Sequence, residues 1–421
     1  MTSMKLGHII FIQMVRSSEA PKVALDTVGC KLNQAESQLF ARQFAEKGYR
    51  LVTADNGADV YILNTCTVTH VADGKCRQRL NQARRRNPET LVVAVGCYVE
   101  RARQDLAQLD GVDLVLDNSQ KMDLVSLLEE SGYLSRPSAA GSANADFRTR
   151  AFVQIQDGCN NFCSFCIVPL VRGRERSLPV DLILAEVKQR VADGDKEVVV
   201  TGTEIGSYSD EGIGLVGLLK RILAETEIAR LRLSSLQPQE ISAELLGLWQ
   251  DERLCRHFHL SLQSGSDAVL ERMGRRYSTA DYRRAVDLIR KAVPDAAITT
   301  DVIVGFPGET EAEFQQSYDF AKQMRFARIH VFPYSPRPGT KAAAMPAKVD
   351  DKTKQERSRR MRALGRASVR NFRRKFLGKK VMVLWEKQTC GVWSGLTDNY
   401  IRVFTKSDRD LTNKLVPVKL V

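Results

Sequence analysis

The chain reads as an α/β protein with an N-terminal doubly wound parallel sheet, a central partial (β/α)6 barrel and a small C-terminal β-barrel. Three observations predict this. Short β-branched runs alternate with helical segments over residues 22–132, and the alternation repeats six times over 152–333. A Ser, Pro, Ala and Gly stretch from Ser135 to Ala145 separates the two series. After Gly378, two strand-like runs follow without an intervening helix. The 421 residues, 47.2 kDa, exceed what one hydrophobic core organises, so several domains are required. A composition 43% hydrophobic and 27% charged excludes a disordered chain, a collagen and a small disulfide scaffold.

Residues 1–21 read as a disordered leader. Their apolar run, Ile9 to Val15, is about half the length of a bilayer span and contains Gln13, so no transmembrane helix is expected. Because the run follows Lys5, a secretory signal is the lesser alternative. In 22–134 the strands are Lys22 to Val28, Asp59 to Thr65, Leu91 to Val95 and Val112 to Leu116, with a helix from Gln34 to Lys47 that ends at Gly48. Residues 135–148 form the linker. In 149–348 the expected strands are Phe152 to Gln156, Glu197 to Thr201, Arg230 to Ser234, His257 to Leu262, Ala297 to Val304 and Arg328 to Phe332. Each gap holds a helix of ordinary length, which suits an open barrel of six units better than a closed one of eight. A basic helix spans 349–377, and in 378–421 the runs Lys380 to Trp385 and Asn399 to Phe404 are strands of the last module.

The charge is concentrated. Of a net +13, the thirty residues from Asp351 to Lys380 carry +11. A helix of this kind meets phosphates, or else forms a solvated face between domains.

Nine cysteines, an odd and clustered set, suggest a reducing, cytoplasmic setting and metal ligation. Cys159, Cys163 and Cys166 follow the first barrel strand, at the end where β/α enzymes place their chemistry. Three thiolates at this spacing grip one iron-sulfur cluster and leave one iron open to a substrate. The alternative is a zinc knuckle without its fourth ligand; the five histidines are all remote in sequence. Cys30, Cys66 and Cys97 each stand just beyond the C-terminal end of an expected parallel strand, which brings them to one sheet edge. They read as a second three-cysteine metal site, or as three small buried residues. Cys76, Cys255 and Cys390 read as ordinary thiols.

These residues resemble a known family. Gly158-Cys-Asn-Asn-Phe-Cys-Ser-Phe-Cys-Ile-Val-Pro169, followed by Arg172-Gly-Arg, is similar to the radical S-adenosylmethionine (SAM) enzymes. With Gly29-Cys-Lys-Leu-Asn33, Asn64-Thr-Cys66 and Gly96-Cys97, the resemblance narrows to the methylthiotransferases. Val28 to Gln34, Ile155 to Asn161 and His330 to Pro336 are most similar to the MtaB branch, which acts on N6-threonylcarbamoyladenosine at position 37 of tRNA. The resemblance implies a radical SAM domain at 149–348, a TRAM-like RNA-binding module at 378–421, and two 4Fe-4S clusters. Cys159, Cys163 and Cys166 would hold the one that binds SAM, and Cys30, Cys66 and Cys97 the one that supplies sulfur. It further implies that Phe165 lies by the adenine of SAM, and that Gly202, Thr203 and Glu204 meet its amino group. Ser261 and Gln263 would meet its ribose and carboxylate, and the stretch from Val304 to Gly308 would pack on the adenine. The chemistry implied is removal of the adenine C2 hydrogen by a radical derived from SAM, then insertion of sulfur and a methyl group.

The implied partners are the tRNA anticodon stem-loop, a low-potential electron donor such as flavodoxin or ferredoxin, and a sulfur donor, with no membrane. Trp385, Trp393 and Tyr400 are candidates to stack on bases, or else core residues of the small barrel. One departure from the family pattern stands out: where an acidic, hydroxyl, acidic triplet is usual, the row reads Ala35-Glu36-Ser37-Gln38, which is expected to loosen a contact in the first domain. Two rival functions remain: methylthiolation of a ribosomal-protein aspartate, and a non-catalytic iron-sulfur protein that binds RNA.

Overall fold

In the computed structural model the described residues are 20–135, 137 and 149–421. The expected leader and linker fall largely outside them. The first sheet has five parallel strands: β1 (Lys22–Thr27), β2 (Arg50–Val52), β3 (Val60–Thr65), β4 (Leu91–Gly96) and β5 (Leu114–Leu116). Their order is β2-β1-β3-β4-β5. The sequence reading missed β2, whose three residues are too few for a periodic signal; its pairing on β1 places the reversal of strand order between β1 and β3. Helices α1 (Lys31–Glu46) and α4 (Leu124–Glu130) cover one face, burying Phe40, Phe44, Leu124 and Leu128 on Val23, Ile62 and Val93. Helices α2 (His70–Arg86) and α3 (Cys97–Ala107) cover the other, with Leu80, Val99 and Leu106 on Leu63, Val92 and Ala94.

Six further parallel strands follow: β6 (Arg150–Gln154), β7 (Glu197–Thr201), β8 (Arg230–Leu233), β9 (His257–Leu260), β10 (Ala297–Val304) and β11 (Arg328–Pro333). They pair as β8-β7-β6 and, through a short continuation of β8 at Ser235–Leu236, on to β9, β10 and β11. Alternation sorts their side chains onto two faces. Ala151, Val153, Val198, Val200, Leu231, Phe258, Leu260, Ile298 and Val302 join the helices in the main core. The other face carries Arg150, Glu197, Arg230, Arg232, His257, His259, Asp301, Arg328 and His330, an inner surface dense in charge.

Helix α1 lies against the exposed edge of β6. Gln38 supplies the hydrogen bonds that a seventh strand would make: its Nε2 donates to the Arg150 carbonyl at 3.1 Å, and its Oε1 accepts from Phe152 N at 2.7 Å. Ala35 packs on Phe152 and Val199. The quartet at 35–38 therefore does not loosen the first domain. Glu36 and Ser37 tie it internally, and Gln38 docks it on the barrel strands.

After β11, helix α5 (Asp351–Arg374) returns along β10 and β11, with Met361 and Gly365 buried and Arg357 paired to Glu309 at 2.8 Å. The last module is an antiparallel sheet of β12 (Lys380–Thr389), β13 (Val392–Thr397), β14 (Arg402–Lys406) and β15 (Leu415–Lys419), in the order β14-β13-β12-β15. Trp385 and Trp393 are 1% and 5% exposed in its core, and Tyr400 stacks on His257 with ring centres 4.6 Å apart. None of the three offers a free face to a base, a correction that follows from the module's need for large residues to fill a small core. The module seats on the N-terminal rim of the six strands: Arg230 donates to the carbonyls of Met382 and Leu396, Arg232 to that of Asp398, and Arg150 pairs with Glu386 at 2.8 Å. Among the described residues no helix is long and apolar enough to cross a membrane.

Candidate active site

Cys159 stands in the turn after β6. Its predecessor Gly158 has φ +70°, and a Cβ there would lie 1.9 Å from the Arg174 carbonyl, so only glycine fits. Gln156–Asp157 pairs with Arg176–Ser177, and Cys159 N donates to the Gly173 carbonyl at 3.2 Å; together they close the cysteine loop against the strand that follows it. Asn161 N donates to the Cys159 Sγ at 3.3 Å, and Arg275 Nη1 to the Cys163 Sγ at 3.3 Å. Burial pushes the Cys159 thiol up and the Cys166 thiol to about 12. Such thiols ionise only against a strong positive partner, which suits iron better than bulk solvent.

The second set gathers at the reversal of strand order. Cys30 is the N-cap of α1, Cys66 follows β3 and Cys97 opens α3. Gly29 and Gly96 hold positive φ, and a Cβ at Gly96 would lie 2.5 Å from Asn64 Oδ1. Two asparagines lock the loops: Asn33 Nδ2 donates to Asn64 Oδ1 and to the Thr65 carbonyl, both at 2.9 Å, while Asn64 Nδ2 donates to the Asn33 carbonyl at 3.1 Å. Burial pushes the Cys66 thiol to about 12, with Cys30 and Cys97 close enough to add to the rise. Cys76 sits against Cys66, Cys255 is buried beside Glu197, and Cys390 is exposed in the turn between β12 and β13. Among the described residues no three His, Cys, Asp or Glu side chains close on a single metal ion. A lone zinc draws its thiolates to about 2.3 Å from one point, whereas a cluster spreads them over separate irons.

The two sets abut. Cys97 packs on Ile167 and Val171, and Ile167 is the residue after Cys166. Arg172 spans the junction: it donates to Glu36 at 2.8 Å, to Asn33 at 3.2 Å and to Asp157 at 3.0 Å. Lys121 holds the same Glu36 at 2.6 Å. Burial works to raise the Glu36 carboxyl, but the Arg172 and Lys121 charges outweigh it and hold the pKa at about 2. Arg172 and Glu36 lie in quoted stretches, yet their roles were not legible, and Lys121 and Arg275 were missed altogether.

The remaining candidates surround the first set. Phe165 meets Phe306 edge-on with ring centres 6.4 Å apart. Gly202 lies over the Gln156 carbonyl, and Thr203 Oγ1 donates to Asp157 at 3.5 Å. Glu204 accepts from Asn161 at 3.0 Å and from Gln237. Glu240, beside Glu204, is pushed up to about 9 by burial and then by that neighbour, so the pair retains a proton at neutral pH. The Ser261 carbonyl accepts from Tyr277, and Gln263 takes φ +63°, a left-handed conformation, with its N–H donating to the Asp301 carbonyl at 2.9 Å. The Val304 side chain is buried in the helix-facing core, while Ile303 and Phe306 pack in one cluster with Phe165. Three histidines remote in sequence, His257, His259 and His330, meet on the inner face, His259 within 3.3 Å of Asp301.

Residues 153–321 match the model of the radical SAM superfamily, and residues 22–117 that of uncharacterized protein family UPF0004. The chain is 40% identical over 416 residues to the threonylcarbamoyladenosine tRNA methylthiotransferase MtaB of Aquifex aeolicus, covering 94% of this chain and 99% of that one. The chain belongs to the radical SAM methylthiotransferases. A second member, the tRNA-2-methylthio-N6-dimethylallyladenosine synthase of Moorella thermoacetica, is 35% identical over 421 residues, with 97% of each chain covered. Among solved structures, the radical SAM methyltransferase TsrM of Kitasatospora setae, determined with cobalamin and a 4Fe-4S cluster, aligns with a TM-score of 0.57 over 77% of each chain at 16% identity, a likeness of fold.

Proposed function

We propose that this methylthiotransferase inserts sulfur and a methyl group at C2 of N6-threonylcarbamoyladenosine at position 37 of tRNA. The observation that carries the chemistry is the contact of the two cysteine sets through Cys97 and Ile167. Cys159, Cys163 and Cys166 would hold one 4Fe-4S cluster and Cys30, Cys66 and Cys97 another; each donor set has three soft thiols and so leaves an iron without a protein ligand. When bound, the first cluster with SAM supplies one-electron chemistry that can break an unactivated C–H bond, and the second supplies the sulfur.

The chain's own residues position this chemistry. Arg275 donates to the Cys163 sulfur and steadies it, and Arg172 fixes the distance between the sets by spanning Asn33, Glu36 and Asp157. Glu204, fixed by Asn161 and Gln237, would accept from the amino group of SAM, while Phe165, Phe306 and Ile303 form an apolar wall that excludes water. The six strands form an open partial barrel closed on its free edge by α1. The C-terminal sheet acts as a TRAM-like module at the opposite end from the cysteines.

For tRNA, the sorting of the basic helix matters. Arg357, Arg359 and Arg360 are engaged with Glu309, Glu356 and Glu311. Arg362, Arg366, Arg370 and Arg373 instead line a cleft of about 690 Å³ with Arg328 and Arg402. This row of guanidinium groups suits the phosphates of an anticodon stem-loop. An electron donor of low potential and a sulfur donor complete the cycle in the cytoplasm.

Nucleoside mass spectrometry tests the reaction on tRNA from cells lacking the gene, with and without its restoration. The 2-methylthio form of threonylcarbamoyladenosine is expected only on restoration. Unchanged tRNA with a methylthio mass lost from ribosomal protein when the gene is absent would move the target to protein, and no change in either would leave a non-catalytic RNA-binding protein.

A further inference from the structure

The chain after β11 forms a strap that touches both cysteine loops. Ala342 N, in the helical turn Lys341–Ala344, donates at 2.8 Å to the carbonyl of Ser164, which lies between Cys163 and Cys166. A Cβ at Gly339, where φ is +83°, would lie 3.0 Å from Leu170 Cδ1, so this backbone runs close against the turn Val168–Val171 that follows the same loop. Toward the first domain, Ser335 Oγ accepts from His70 N at 3.1 Å, and Arg337 Nη2 donates to Asp73 Oδ2 at 2.6 Å. Asp73 accepts from Thr67, the residue after Cys66, at 2.7 Å, and Arg101 of α3, the helix that Cys97 opens, donates to both Thr67 and Asp73. Thr340 closes the strap on itself by donating to the Arg337 carbonyl at 2.7 Å. The stretch from Ser335 to Ala342 thus holds the Cys163 to Cys166 loop by one end and the Cys66 loop by the other.

Most other polar ties across this boundary start from α1, on one face of the first sheet: Glu36 to Arg172, Gln38 to the backbone of Arg150 and Phe152, and Arg42 to Glu186. Ties along one helix act as a hinge line, and rotation about it would change how the two cysteine sets face each other. Ser335 and Arg337 reach α2 and α3, on the opposite face, and so remove that freedom. Arg337 is 1% exposed, and its Nε and Nη1 have no hydrogen-bond partner among the described residues. A buried guanidinium only partly satisfied adds little net stability, so its contribution is placement. We propose that Arg337 is a positioning residue: through Asp73 it clamps the first domain to the barrel, so that the two cysteine sets keep one separation and one orientation. This rests on the reading above, in which a radical generated at one set is met by sulfur held at the other. Asp73 keeps Arg101 when Arg337 is lost, so no unpaired carboxylate is left to unfold the domain.

The test compares the reconstituted wild-type protein with Arg337→Met and Arg337→Lys, with iron counted in each. With both clusters reduced, electron paramagnetic resonance reads the magnetic interaction between them, which falls with the cube of their separation. The wild type is expected to show one resolved splitting, Arg337→Met a broadened or vanished one, and Arg337→Lys, which keeps a cation for Asp73, the wild-type pattern. With SAM, reductant and tRNA, Arg337→Met should still release 5′-deoxyadenosine, but its methylthio product per 5′-deoxyadenosine should fall at least about tenfold, since a displacement of about 1 Å can cost about 10²-fold. Arg337→Lys should recover most of that yield. Amide hydrogen exchange on the apoprotein reads the strap without iron: in Arg337→Met the Ala342 and His70 amides should exchange at least about tenfold faster while those of β10 stay unchanged. If Arg337→Met loads fewer irons, this exchange decides. Unchanged exchange at both amides, or a splitting and yield equal to the wild type's at full iron, overturns the proposal and leaves the function standing. Absence of methylthio product on tRNA from the wild type, with the splitting still lost in Arg337→Met, overturns the function and leaves the clamp.

Discussion

Replacing Glu36 by Gln removes one negative charge from the junction between the cysteine sets and nearly preserves its shape. Glu36 is 2% exposed and receives Arg172 at 2.8 Å, Lys121 at 2.6 Å and Asn64 at 3.0 Å. Its pKa of about 2 lies below the ordinary 4.5. At 1.36 kcal/mol per pH unit, that separation corresponds to about 3 kcal/mol of folded-state stability. Because the folded pKa is the lower one, the contribution is complete above pH 4.5 and is lost as pH falls through about 2. Glu36→Gln should therefore cost about 3 kcal/mol at pH 7, within the range for breaking a buried ion pair, and about half of that at pH 3. Urea denaturation of the apoprotein, followed by circular dichroism and by hydrogen exchange in α1, measures the loss. A double-mutant cycle with Arg172→Met should give a coupling of about 2 kcal/mol. A cost below about 1 kcal/mol at pH 7, or additive single and double variants, would refute the bridge.

Four further outcomes follow from the geometry. Replacing either cysteine set with alanine should remove about four of about eight irons per chain, read by iron assay and Mössbauer spectroscopy; loss of all iron from either would mean one shared site. Gly158→Ala should cost more than about 2 kcal/mol and the iron of the Cys159 set, since φ is +70° and the Arg174 carbonyl occupies the place of a Cβ; normal iron loading would contradict the strained turn. Each of Arg362, Arg366, Arg370 and Arg373 changed to Ala should flatten the salt dependence of tRNA binding by about 0.7 to 0.9 in the log-log slope, whereas Arg357→Ala should lower stability and leave the slope alone. Glu240, with its pKa raised to about 9, should make stability fall as pH rises from about 4.5 to about 9, and Glu240→Gln should remove that slope; an unchanged pH profile would place the shared proton elsewhere.

The alternating strands and both cysteine sets were legible in the sequence because each leaves a local trace. Leu91 to Val95 is a continuous apolar run, as a buried parallel strand must be, and Cys30, Cys66 and Cys97 each follow such a run. The resemblance of the motifs then carried the chemistry. Local traces fail where an element is shorter than its own period, as with Arg50–Val52, or where a residue type serves two roles. Trp385 and Trp393 have the composition of a stacking platform and the burial of a core.

What the sequence by itself determined is the alternation of elements, the spacing of the thiols, and the concentration of positive charge after Asp351. What only the tertiary structure decided is how distant polar groups meet. Gln38 completes the edge of a strand 112 residues away, Arg172 reaches Glu36 across 136 residues, and Asp73 is held by Arg337 across 264. The same folding sorts one basic helix into buried arginines with acidic partners and a row that lines a cleft. Periodicity reports the contacts of a residue with neighbours a turn or a pleat away, whereas a hydrogen bond between side chains needs only proximity in space and imposes no pattern along the chain.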